Sequence, residues 1–123
     1  MGNFRFQKAE RLTRKKIIEE LFDKGSSFLA FPLKVIFRPQ PADAPGHQVL
    51  ITVPARTFRK ATNRNTLKRR IREGYRLNKA MLAASPRLSV AYIYIAREVL
   101  PSSTIHQAIR LSLQRLNRHE KKD

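Results

Sequence analysis

"LSVAYIYIA" (residues 88–96) decides the fold, because Val90, Tyr92 and Tyr94 alternate with Ala91, Ile93 and Ile95 and neither set is charged. A strand with two apolar faces has to be covered on both, which puts it inside a sheet with helices packed against it. On its N-terminal side, from about Thr62 to Ala83, the apolar period is helical. On its C-terminal side, Pro101 and the serines after it open a last helix whose inner face is Ile105, Ala108, Ile109, Leu113 and Leu116. Further upstream, "FPLKVIF" (31–37) and "HQVLITV" (47–53) are short, β-branched and aromatic, and the Pro- and Gly-bearing loop 38–48 joins them, so they are expected as a strand pair. Pro54 ends the second of them or confines it to an edge. Thr13 is placed to cap a first helix with Ile17, Ile18, Leu21 and Phe22 on one stripe, and Gly25 to stop it. The expected order is α-β-β-β-α-β-α, the third strand, after 47–53 and before the basic helix, not being assigned to residues. The class is α+β, a single-domain sandwich of a central sheet and helices.

The 123 residues fit one domain, and 41% hydrophobic residues are enough for a small core. Lys and Arg number 26 against 9 Asp and Glu, a formal net charge of +17, so a polyanion is the expected partner. The chain has no cysteine, which excludes disulfides, zinc–thiolate sites and thiol catalysis and fits a reducing compartment. The expectation is a cytoplasmic protein: no apolar run has the length of a membrane span, and charges stand where a signal peptide would be apolar. Gly2 follows Met1, but Phe6 occupies the position where a myristoylation signal has Ser or Thr.

Charge is densest in "ATNRNTLKRRIRE" (61–73), and the window 59–79 holds nine basic residues and one acid. At about 100° per residue, Leu67, Ile71, Gly74, Asn78, Met81 and Leu82 share one side, while Lys68, Arg69, Arg72 and Arg76 share another, with Arg64 at the start. A charge run is ordinarily a solvated face, but a face kept for solubility mixes signs and this one does not. Crowded cations repel each other until phosphates neutralise them. Glu73, three residues from both Arg70 and Arg76, tempers the repulsion. One of Asn63, Asn65 and Thr66 is expected to cap the helix, and the others to offer amide or hydroxyl groups beside the cations, a mixture suited to RNA. Gly74 inside a helix costs about 1 kcal/mol relative to Ala, and close backbone packing is the expected reason for it.

A nuclease site within the polypeptide is not expected. Of the acids, only Glu19 and Asp23 pair at helical i,i+4 spacing, with lysines beside them, and His47, His106 and His119 fall in a loop, a helix and the tail.

The residues of the basic helix resemble a family signature. Ala61, Arg64, Asn65, Lys68, Arg69, Arg72 and Glu73 keep the spacing of the protein subunit of bacterial ribonuclease P, an Ala, then Arg-Asn-Arg, Lys-Arg, and Arg-Glu or Arg-Gln, with Thr66 replacing the third member of the triplet. "RLTRKKIIEELFDKG" (11–25) is similar to its N-terminal Arg-Leu and first helix, and "YIYIAR" (92–97) to its penultimate strand. The resemblance spans about 6–116, which is the expected ordered core, followed by a basic tail at 117–123.

This resemblance implies a central mixed sheet with a left-handed βαβ crossover through the basic helix, against the usual right-handed preference. It implies that the RNA subunit is the catalyst, with Mg2+ held mainly by that RNA and the substrate. The protein would bind the catalytic RNA through Arg56, Arg64, Asn65, Lys68, Arg69 and Arg72. It would hold the 5′ leader of precursor tRNA in a cleft between the first helix and the sheet, bordered by Lys8, Arg11, Lys15, Ile18 and Phe22. Ile18 stands where many relatives have Phe, so Phe37 or another strand aromatic is the expected substitute for stacking. Ala55 replaces a serine frequent in relatives. Phe22 has a plainer reading as core.

A structural RNA-binding protein such as a ribosomal protein would share the size and charge, without the ordered series of motifs. A helix-turn-helix DNA binder would need a short second helix where "VAYIYIA" stands, and a membrane-surface helix would need a bulky apolar face. The implied partners are therefore ribonuclease P RNA and precursor tRNA, with neither DNA nor membrane.

Overall fold

A computed structural model describes residues 10–40, 46–83 and 86–121. The element order is α1 (Lys15–Lys24), β1 (Ser26–Ala30), β2 (Leu33–Pro39), β3 (Gln48–Thr52), α2 (Ala61–Asn78) with a 3-10 turn at Lys79–Met81, β4 (Leu88–Tyr94) and α3 (Ser102–Lys121). The α-β-β-β-α-β-α order of the sequence reading is therefore present. The extra strand lies not after the other two, where it was expected, but before them: it is "SSFLA", which forms a hairpin with β2 across the turn at Phe31–Pro32.

The sheet has four strands in the order β1-β2-β4-β3. The two-faced strand β4 lies inside it, antiparallel to β2 and parallel to β3. This corrects the expected pairing of 31–37 with 47–53: β4 inserts between them and takes both as neighbours. Apolar alternation identifies a strand but not its neighbours, and the most thoroughly apolar strand goes to the position covered on both faces. The β3-α2-β4 segment is thus a parallel crossover through the basic helix.

Alternation along the strands divides the core in two. On one face Leu33, Val35 and Phe37 of β2 and Val90, Tyr92 and Tyr94 of β4 pack against α2 and α3, through Leu67, Ile71, Ile105, Ile109 and Leu113. On the other face Ile36, Ala91 and Leu50 pack against Leu12, Ile17, Ile18 and Leu21. Two of the tyrosine hydroxyls that this core buries are bonded as follows: Tyr92 to Ser112 Oγ at 2.7 Å, and Tyr94 to the Glu98 carbonyl at 2.6 Å while accepting from Leu100 N–H at 3.1 Å. Burial pushes the Tyr75, Tyr92 and Tyr94 hydroxyls above their ordinary range.

α1 lies across the strands. At its N-terminal side Leu12 N–H donates to the Val49 carbonyl at 3.0 Å, and at its C-terminal side Gly25 meets β2. A Cβ on Gly25 would collide with the Leu21 carbonyl oxygen and stand 2.9 Å from Ile36 Cγ2, so the residue is required for close approach. The start of α1 differs from expectation: the cap is Arg14 rather than Thr13, and it makes no side-chain capping hydrogen bond.

α2 and α3 run side by side in the same sense. Arg70 Nη1 donates to the Leu100 carbonyl at 2.7 Å, and Asn117 bonds the Met81 carbonyl and the Ala83 amide. Between these points Gly74 faces α3, where a Cβ would stand 2.8 Å from His106 Cδ2 and 3.3 Å from Ile109 Cγ1. The glycine is present for helix contact, as its place in the sequence suggested. The segment from 117, expected as a tail, continues α3 to Lys121.

Candidate nucleic-acid interface

α2 starts at Ala61 with Lys60 as its cap, and no side chain caps it. Asn63, Asn65 and Thr66 therefore lie inside the helix, contrary to the expectation that one of them caps it. Arg64 folds back instead, its Nη1 donating to the carbonyls of Phe58 at 2.8 Å and Arg59 at 2.9 Å. This bond anchors the loop after β3, whose Phe58 ring is buried against Tyr94. Arg56 is exposed in that loop, and Asn65 and Arg69 are exposed on the helix. The first turn contains no acid, so Arg59, Lys60 and Arg64 add to the positive end of the helix dipole. Glu73 bonds Arg76 and not Arg70, whose charge is used on the Leu100 carbonyl.

Lys68 and Arg72 reach the outer edge of β3. There they line a groove of about 310 Å³ together with Arg11, Leu12, Thr13 and residues 49–51. Arg72 Nε is buried without a hydrogen-bond partner among the described residues. A buried donor of that kind is costly unless an acceptor reaches it, and the groove opens beside it. Residues from the two expected sites, Arg11 from one and Lys68 and Arg72 from the other, thus meet at one edge.

The sheet face under α1 is only partly covered. Register makes three rows on it: Gln48, Ser89 and Arg38; then Leu50, Ala91, Ile36 and Ser27; then Thr52, Ile93, Lys34 and Leu29. One flank of α1 lies over the first row, where Glu20 pairs with Arg38 at 3.3 Å. The opposite flank has Lys15, Ile18 and Phe22, spaced three and four residues apart. Ile18 is half-buried on the inner cluster, while Lys15 is exposed and Phe22 is 46% exposed. Phe22 is therefore not core. The third row is left open beside this flank, so the described part of the expected cleft has a floor and a wall. Lys8 lies outside the described residues.

Phe37 does not belong to this cleft. It points to the other face, buried against Phe28 at a ring separation of 5.9 Å. The residues of "FPLKVIF" that do face α1 are Lys34 and Ile36, and the floor adds Thr52 and Ile93, none of which was singled out from the sequence. The signal was available, because period-two alternation separates Lys34 and Ile36 from Val35 and Phe37.

His47 holds the loops at the far end of β4. Its Nδ1 accepts from Leu88 N–H at 3.0 Å, which leaves Nε2 protonated to donate to the Ala83 carbonyl at 2.6 Å. Burial lowers its pKa from the ordinary histidine value. Among the described residues no three His, Asp or Glu side chains gather as a metal site, and Glu10 is tied to Lys79 at 2.9 Å. No helix among them is long and apolar enough to cross a membrane.

Both the sequence and the fold are similar to those of known proteins. The chain is 31% identical over 121 residues to the ribonuclease P protein component of Porphyromonas gingivalis, covering 94% of this chain and 88% of that one. It is 33% identical over 95 residues to the protein component of Petrotoga mobilis, covering 77% and 75%. Among solved structures, the ribonuclease P protein of Thermotoga maritima superposes with a TM-score of 0.73 at 26% identity, over 86% of this chain and 96% of that one. The Staphylococcus aureus protein shares the fold, with a TM-score of 0.70 at 19% identity over 89% and 95%. A family model described as Ribonuclease P matches residues 6–119, almost the whole of the fold and every element of the cationic edge, and the chain belongs to that family.

Proposed function

We propose that this chain is the protein component of a bacterial ribonuclease P holoenzyme. It binds the catalytic RNA and the 5′ leader of precursor tRNA and so assists removal of the leader. Family membership supports the partnership with ribonuclease P RNA, and the observation that supports the two-sided binding mode is the meeting of Arg11, Lys68 and Arg72 at the β3 edge. On this reading the outer edge of α2, with Arg56, Arg64, Asn65 and Arg69, faces the catalytic RNA. Arg11, Lys15, Ile18 and Phe22 border the leader, and Lys34, Thr52 and Ile93 form the floor beneath it.

The polypeptide works by positioning and by charge. Its cations contact phosphates, which set the register of both RNAs without reading their sequence. Holding leader and catalytic RNA on one rigid sheet turns a bimolecular encounter into a local one. Mg2+ belongs with the RNA subunit and the substrate phosphates, whose dense oxygen charge suits a hard cation. The protein acts in the cytoplasm, with precursor tRNA as substrate.

The test is reconstitution with the host's ribonuclease P RNA at low magnesium. Precursor tRNA cleavage is expected to be faster with the protein than without it, and equal rates would overturn the reading.

A further inference from the structure

The open row of the sheet continues into an apolar apron at the β1–β2 end. Leu29 is 61% exposed, Phe31 68% and Ile95 40%. Strand parity places Leu29 and Ile95 on the α1 face with Ile93, and Phe31 stands in the turn after β1, next to Pro32, whose carbonyl accepts from Ile95 N–H at 2.9 Å. In a chain of net charge +17 an exposed apolar surface of this extent needs a partner that tolerates the surrounding charge. A second copy of the chain does not meet that need. Two such copies repel, and the β1 edge is already engaged by Arg115, which donates to the Leu29 carbonyl at 2.9 Å and lies 4.2 Å above the Phe28 ring.

Single-stranded RNA does meet it. The row Thr52, Ile93, Lys34 and Leu29 leads from the cationic β3 edge to the apron across three strand spacings, about 14 Å. A strand held at Arg11, Lys68 and Arg72 and extended along this row has Lys34 for a phosphate midway and reaches Leu29, Phe31 and Ile95 with its bases.

We propose that Leu29, Phe31 and Ile95 form a stacking platform for the distal nucleotides of the precursor-tRNA leader. This rests on the leader-binding reading above. The platform offers an aromatic ring and two aliphatic side chains and no base-edge donors or acceptors, so it reads leader length and tolerates base identity.

The experiment uses the reconstituted holoenzyme and compares dissociation constants for mature tRNA and for precursors with leaders of about two and about ten nucleotides, a range that brackets the platform. Phe31→Ala and Leu29→Ser are expected to weaken binding of the long-leader precursor about fivefold or more and to leave the short-leader value unchanged, while Phe31→Trp retains the wild-type value. A photoreactive uridine in the distal half of the long leader is expected to crosslink to residues 29–34. If the wild type distinguishes precursor from mature tRNA but neither variant alters long-leader binding and no crosslink forms, the platform is wrong and the cleft stands. If the wild type makes no such distinction, the leader reading fails and the platform with it. Loss of self-association in Phe31→Ala, with leader affinity intact, would identify a protein-binding surface and also overturn the proposal.

Discussion

Single residues separate cost from use most clearly at glycine and histidine. Alanine is intrinsically better than glycine in a helix by about 1 kcal/mol, yet Gly74→Ala is expected to lower the melting temperature, because a Cβ 2.8 Å from His106 Cδ2 forces α2 and α3 apart. A net loss of about 1–2 kcal/mol by thermal melt would fit, and a gain would refute the close-contact argument. His47 gives a pH signature. Its folded-state pKa is lowered, so the unfolded chain binds the proton more readily. The stability it contributes is complete above about pH 6.5 and is lost as the pH falls through the folded value. Melts between about pH 7.5 and 5 are expected to decline in the wild type. The His47→Ala variant is expected to be less stable at neutral pH and to decline less. For Phe22, 46% exposure predicts that Phe22→Ala remains folded and selectively lowers the precursor-to-mature affinity ratio, by about fivefold if a base stacks there. A folded variant with an unaltered ratio would remove Phe22 from the cleft.

Elements show what the sequence made legible. β4 and the inner faces of α2 and α3 were readable because burial imposes a period, and Leu67, Ile71, Ile105 and Leu113 lie where that period puts them. Strand order was not, since period two says nothing about which strand becomes a neighbour, and "SSFLA" is too short and polar to announce itself before its hairpin forms. The caps failed for a different reason: Thr13 and the asparagines have suitable chemistry, but Arg64 closes the start of α2 through the backbone carbonyls of Phe58 and Arg59 in the loop just before it. Phe37 has the aromatic type expected of a substitute for the phenylalanine missing at Ile18, but its parity puts it on the opposite face of the sheet. The α2 edge separates two roles that the sequence joined. Arg72→Ala is expected to leave the melt at or above wild type, since it removes an unpaired buried donor and some repulsion. Arg64→Ala is expected to cost about 1 kcal/mol, because it removes two carbonyl bonds. Both are expected to weaken RNA binding and to reduce its salt dependence by about one counterion each, measured as the slope of affinity against ionic strength. An unchanged slope for Arg72→Ala would exclude it from phosphate contact.

At the scale of the whole molecule, a net charge of +17 beside dense phosphate does part of the work of divalent screening. Neutralising basic residues between 56 and 72 is therefore expected to raise the magnesium concentration for half-maximal cleavage, with recovery at high magnesium. Replacing Glu19, Asp23, Asp43 or Glu98 singly is expected to leave the single-turnover rate at saturating magnesium nearly unchanged. A folded carboxylate variant that binds both RNAs and still loses orders of magnitude in rate would place chemistry in the polypeptide. The position of β4 has a consequence for biosynthesis. It fills the middle of the sheet but is the last strand to be made, and among the described residues β3, whose strand neighbour is β4, has the Arg11 bridge as its one other backbone pairing. During translation the β1–β2 hairpin can form early, but β3 and the cationic helix after it have no sheet to pack on until residue 94 has left the ribosome. A nascent chain stalled before residue 88 should accordingly be digested by protease throughout 48–78, and one extended past the end of α3 should resist.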